Sequence, residues 1–384
     1  MWCRIPATGI FILFVFLRQT HAPCCMLKPV SLPILVCLFA PVLVRAQSTK
    51  KDFSTVDSLA RSIRYDNDIY RLTKELTSSH TEQLSKVRAI FIWVTDNIEY
   101  DYEFINKGKE IKVPKCKPGV DCRQMREEWE SDYLKEVLKK KRGVCDGYAR
   151  LFRKMCGIAG IPCEIVPGYT KTKPYQIGSP GSLSHAWNAV LIDSAWHFLD
   201  VTWASGGCAV NEESGKLLPF RKHFNEYYWF TSFTDLARNH YPKDGKWVLE
   251  PGYTKEKFAD NPWYAPEILD NIRLISPSSG VVNAKKGDTL HFKFDYKARI
   301  KFLQANSNVF RNPDIWNVEM SGGRKIRRLD TIALRRQQYI SFTKDSDMYA
   351  FDFVVTDESL YYVELLFDYK KVMRFNIKVD SKTL

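Results

Sequence analysis

Gly143-Val144-Cys145-Asp146-Gly147-Tyr148-Ala149 sets a cysteine where the local structure can be read, and two later segments supply the groups it needs. These are Ser184-His185-Ala186-Trp187-Asn188 and Trp196-His197-Phe198-Leu199-Asp200-Val201-Thr202-Trp203. A nucleophilic thiol requires a base beside it and a carboxylate to orient that base. No other constellation in the 384 residues carries comparable chemistry.

The cysteine segment reads as the first turn of a buried helix. Apolar positions recur at Tyr148, Leu151, Phe152, Met155 and Ala159, the spacing of one helical face, and Gly157, Gly160 and Pro162 end it. A thiol on the first turn faces unpaired backbone N–H groups and the positive end of the helix dipole, which favour the attacking thiolate.

The other two groups fall on a predicted hairpin, Ala186 to Ile192 and Ala195 to Thr202, joined at Asp193-Ser194. A two-residue turn pairs Ile192 with Ala195, so His185 lies opposite Thr202 and Asp200 opposite Trp187. His185 and Asp200 then share a face as diagonal neighbours, within side-chain reach. A four-residue loop keeps that pairing; a three- or five-residue loop would put them on opposite faces.

Blander roles fit the remaining candidates. Cys156 and Cys163 read as small core residues. His197 shares the parity of Leu199 and points away from the proposed site. Asp193 is a turn residue. Trp187, Trp203 and Tyr148 pack, although one of them could line a cleft. Metal chemistry fails on spacing: Cys116 and Cys122 have no histidine pair nearby, and neither C-x-x-C nor H-E-x-x-H occurs. Gly178-Ser179-Pro180-Gly181 is followed by no helix pattern or lysine, so no phosphate loop is expected. We therefore expect neither metal nor cofactor.

These three segments resemble the transglutaminase-like superfamily, and two flanks agree. Arg88-Ala89-Ile90-Phe91-Ile92-Trp93-Val94-Thr95-Asp96-Asn97-Ile98-Glu99-Tyr100-Asp101 resembles the helix that precedes the cysteine in that superfamily. Tyr228-Trp229-Phe230-Thr231 and His240-Tyr241-Pro242-Lys243-Asp244-Gly245-Lys246-Trp247 resemble the branch that includes kyphoscoliosis peptidase and its bacterial relatives. The similarity covers about residues 53 to 250. It implies Cys145 as nucleophile, His185 as base and Asp200 as orienter, matching the assignment made from the residues, on an α+β, papain-like core.

Length suits two domains, and 45% hydrophobic with 26% charged residues is globular. The net charge of +13 is mostly scattered, with dense runs at Lys139-Lys140-Lys141-Arg142 and Arg324-Lys325-Ile326-Arg327-Arg328. The first reads as a solvated helix end that also favours the nearby thiolate; no motif that reads nucleic acid accompanies either. Residues 1–46 read as a secretory signal: Met26, the preferred start, opens a short positive region, Pro29 to Leu43 is mostly apolar, and Val44-Arg45-Ala46 resembles a cleavage site. The expected location is secreted or periplasmic, with no stable membrane span after cleavage; an uncleaved N-terminal anchor is the alternative. The Pro-Gly turn between Cys116 and Cys122 brings them within bridging distance, so a disulfide is expected there.

Residues 47–262 are expected to form the transglutaminase-like core. Within it, two helices cover residues 53–100, a polar surface insertion runs from Glu103 to Glu128, and the thiol helix packs on an antiparallel sheet. Short alternating strands such as Thr289 to Tyr296 and Met373 to Val379 make residues 270–384 a β-sandwich of the immunoglobulin kind. The function expected is a thiol-dependent amide hydrolase, a transglutaminase-like cysteine peptidase acting on a protein or peptide substrate. Two alternatives stay open: a protein-glutamine crosslinking acyltransferase with the same triad, and a non-catalytic binding protein on the same fold. Oligomeric state is not legible.

Overall fold

A computed structural model describes residues 51–119, 121–211, 213–321 and 324–380; the expected export signal lies outside the described residues. Three helices open the described chain: Ser54–Ser62, Ile69–Thr77 and Gln83–Asn97. The two-helix expectation missed the middle one. Its buried face is Leu72, Thr73, Leu76 and Thr77, half threonine, so its apolar stripe is too thin to read. Asp68 starts it by accepting from the Tyr70 and Arg71 N–H groups. Gln83–Asn97 is buried along Val87 to Thr95 on nearly every side, as a central helix must be.

The expected surface insertion is also shorter than its polarity implied. A helix begins inside it at Cys122 and runs to Lys140, capped by Asp121, with a buried stripe of only Leu134, Val137 and Leu138. Cys116 and Cys122 are bonded, their α-carbons 5.4 Å apart, so the bridge fastens the approach segment to the helix's first turn.

The thiol helix, Cys145–Ile158, lies against a four-stranded antiparallel sheet. The strands run in the order Ala195–Leu199, Leu183–Ile192, Cys163–Thr170, His240–Pro242. Leu151, Phe152, Met155 and Cys156 from the helix meet Val166, Trp187 and Ala189 from the sheet in one core. Gly168 is required by this packing: a Cβ there would overlap the Trp187 ring and the Tyr241 carbonyl.

Arg88 is the buried polar joint of the helical layer. Its guanidinium donates to both carboxylate oxygens of Asp57 at 2.8 Å and to both of Glu226 at 2.8 and 2.9 Å. Phe53, Phe91, Phe224 and Trp229 surround it, with centroids 5.0–5.9 Å away. It thereby ties the first and third helices to the turn Glu226–Tyr228.

The C-terminal region is two facing sheets. One orders Ile272–Ser276, Thr289–Tyr296, Met348–Val354 and Thr343–Asp345; the other orders Val281–Ala284, Lys370–Val379, Tyr362–Phe367 and Leu303–Ser307. Leu290, Phe292 and Phe294 point inward while Thr289, His291 and Lys293 face water, the period-two pattern of a half-buried strand. A short helix, Thr331–Arg335, interrupts the all-strand expectation after a separate hairpin of Trp316–Ser321 with Arg324–Leu329; at five residues the helix is too short to leave a period. Trp263–Tyr264 pairs with Lys370–Val379, and Arg238 donates to the Leu269 and Ile272 carbonyls at 3.0 and 2.8 Å.

Replacing Arg88 by Met strands two carboxylates in a largely apolar setting and should cost about 3–5 kcal/mol of unfolding free energy in urea titration. Converting Cys116 and Cys122 to Ser strands no charge and opens only a short loop, so it should cost no more than about 2 kcal/mol by the same measurement.

Candidate active site

Two left-handed residues, Asp193 (φ 49°) and Ser194 (φ 64°), close the predicted two-residue turn, and Ile192 pairs with Ala195 as expected. The register continues to Asn188 opposite Leu199. There the strand stops, and the expectation of a strand through Thr202 fails. Asp200 instead caps a short helix, Val201–Ser205, accepting the Trp203 N–H on Oδ1 at 3.0 Å, while its own N–H donates to the Tyr228 carbonyl at 3.0 Å. Val201 and Thr202 have strand propensity, but a buried aspartate with a free backbone turn ahead is a helix start. Thr202 is therefore not opposite His185, yet Asp200 keeps its parity.

The three expected residues come together. His185 Nε2 lies 2.6 Å from Asp200 Oδ2. The Cys145 thiol donates to the carbonyl of Ser184, the residue before His185, at 3.9 Å. Cys145 is the first residue of its helix, as the sequence implied. His197 stacks instead on Phe230, 4.7 Å between centroids, away from the site. Two of the four cations in the Lys139–Arg142 run are answered by carboxylates: Lys140 pairs with Glu136, and Arg142 with Glu99 and Glu103.

Asp200 has no exposed surface. Burial alone would raise its pKa, but the hydrogen-bonded histidines hold it below the usual carboxylate range. Burial likewise opposes charge on His185, yet Asp200 and the Cys145 thiol outweigh it and raise the ring to about 10.

One member was missed. His240 Nε2 lies 3.1 Å from the same Asp200 oxygen, and its Nδ1 lies 2.6 Å from Asn239 Oδ1. The sequence offered only a resemblance across this segment. The pairing of His240–Pro242 with Cys163–Thr170 is long-range, so no local spacing reveals which way His240 points. His185, Asp200 and His240 form the described cluster of metal-type ligand atoms, all within 4.8 Å. His185 and His240 both hydrogen-bond to the same Asp200 oxygen, so the trio reads as a proton-sharing array.

The sequence profile of the transglutaminase-like superfamily matches residues 70–201, which span the thiol helix, the histidine strand and Asp200. The chain carries a transglutaminase-like domain. Kyphoscoliosis peptidase of Mus musculus is 30% identical over 239 residues, covering 61% of this chain and 32% of that protein. Hillarin of Drosophila melanogaster is 23% identical over 249 residues, 61% of this chain and 28% of that one. This chain thus spans a third or less of these relatives. A crystal structure of a TGase shares 20% identity and a TM-score of 0.25 over 45% of this chain and 38% of that chain; at that score the likeness adds nothing to the fold described above.

Asp200→Asn should preserve the fold but reduce Cys145-dependent turnover by roughly 10³–10⁴-fold, whereas His197→Ala should cost less than about threefold, in steady-state assays. The ion pair also sets a stability window. The raised His185 contributes fully below its unfolded value of about 6.5 and is lost as pH rises through about 10. The depressed Asp200 contributes above about 3.9 and is lost on further acidification. The stability gap between wild type and Asp200→Asn should therefore be widest from about pH 4 to 6.5 and shrink by pH 10 in urea titrations.

Proposed function

We propose that this protein is an exported thiol-dependent amide hydrolase, a transglutaminase-like cysteine peptidase, acting on protein or peptide through Cys145, His185 and Asp200. The observation that carries this is the 2.6 Å His185–Asp200 bond, with the Cys145 thiol at a helix start on the carbonyl of the residue before His185. With the ring raised to about 10, the thiol proton already rests on His185; the Cys145 thiolate attacks the scissile carbonyl carbon, and the imidazolium passes that proton to the leaving amine. Water then attacks the thioester with His185 as base, releasing the acid and restoring the thiol. Asp200 stays ionised throughout, fixing Nε2–H toward itself so that Nδ1 serves the thiol. The backbone N–H of Cys145, first in its helix, has no helical acceptor and is placed to receive the developing oxyanion.

The same triad could pass its acyl group to a lysine amine. Hydrolysis is favoured by relatives named as peptidases. Export is supported by the Cys116–Cys122 bond, which persists in oxidising compartments.

The test pairs peptide cleavage with incorporation of a fluorescent primary amine into protein, using Cys145→Ala as control. We expect cleavage that the substitution abolishes. Amine incorporation without cleavage would reverse the choice toward crosslinking, and neither activity with an unreactive Cys145 would point to the binding protein.

A further inference from the structure

His240 is 1% exposed and faces Asp200, His185, Tyr228 and Asn239. Trp187 meets it edge-on at 5.0 Å and Trp203 lies 4.4 Å away, so the ring has one orientation. A buried histidine can be mere filling, but filling does not require a polar bond at each nitrogen. Here one nitrogen sits 3.1 Å from the oxygen that also serves His185, and the other sits 2.6 Å from Asn239.

Charge decides the direction of these bonds. Burial pushes His240 down to about 4, with His185 reinforcing and Asp200 opposing the shift. An ionised Asp200 can only accept, so the nitrogen that faces it, His240 Nε2, donates. On the other side of the ring Asn239 Oδ1 lies 2.6 Å from Nδ1, and the Asn239 amide nitrogen donates to the Tyr228 hydroxyl at 3.3 Å. Tyr228, Asn239, His240 and Asp200 thus form one line of buried polar contacts. Tyr228 closes the circuit, since its carbonyl accepts the Asp200 N–H at 3.0 Å.

We propose that His240 is a positioning residue for the triad, a second imidazole that fixes the Asp200 carboxylate and so sets the aim of His185 at Cys145. The proposal rests on the thiol-enzyme reading for its activity assay but not for its spectroscopy. With no exposed surface, Asp200 has no water to replace a lost donor, so without His240 its Oδ2 is held by His185 alone.

The experiment compares His240→Gln, which keeps a donor, with His240→Phe, which keeps the ring shape without one. The readouts are the downfield proton resonance of the short His185–Asp200 bond, the iodoacetamide alkylation rate of Cys145 near pH 7, and kcat and KM. We expect His240→Phe to lose or broaden the resonance and to lower kcat roughly 10- to 100-fold with KM within about twofold, while His240→Gln restores most of both. Equal losses in the two variants with the resonance intact would reduce His240 to packing, and no loss in either would also overturn the proposal. If His240→Phe does not fold, Asn239→Ala, which leaves the ring but frees it to turn, must weaken the same resonance; an unchanged resonance there overturns it as well. The resonance and the alkylation need no substrate, so absent peptidase activity would count against the proposed function and leave this test standing.

Discussion

A carboxylate with no exposed surface must be answered from every side, and Asp200 organises its surroundings by that demand. Its two oxygens receive two imidazoles and one backbone N–H. Its main chain ends one strand and begins one helix. The Tyr228 carbonyl that receives its N–H belongs to the turn that Glu226 anchors on Arg88. Arg88 in turn reaches Asp57 on the first helix. A chain of ion pairs and hydrogen bonds therefore runs from the first helix to the His185 ring, and its Asp200 end has no exposed surface, where the strength of each bond depends on the next.

What the sequence made legible was local. The thiol helix announced itself through its apolar spacing and glycine-rich exit. The hairpin register followed from a two-residue turn and the alternation of its strands, which sufficed to place His185 beside Asp200. The sandwich strands showed the same alternation. The failures have one cause each. Ile69–Thr77 buries threonines, Cys122–Lys140 is mostly charged on its surface, and Asp200 sits at a junction where strand propensity continues past the strand. His240 could not be placed because its partner is forty residues away along the chain and reaches it only through a third strand.

Several cations around the thiol helix are taken up by neighbouring carboxylates. Arg88 is spent inside, Arg142 and Lys140 on neighbouring acids, and Arg150 and Arg153 on Glu130. Charge around the thiol is supplied by one ion pair and a helix end, which are short-range and insensitive to salt, in contrast to a surface potential.

The strand Lys370–Val379 holds a particular place in time. It pairs with Val281–Ala284, Tyr362–Phe367 and Trp263–Tyr264, and Asn376 within it donates at 3.0 Å to the Ile177 carbonyl, on the loop that leads into the histidine strand. Of the described strands it comes latest in the chain. The loop ahead of the histidine strand would therefore wait nearly two hundred residues of synthesis for this partner, a contact that local folding alone does not supply.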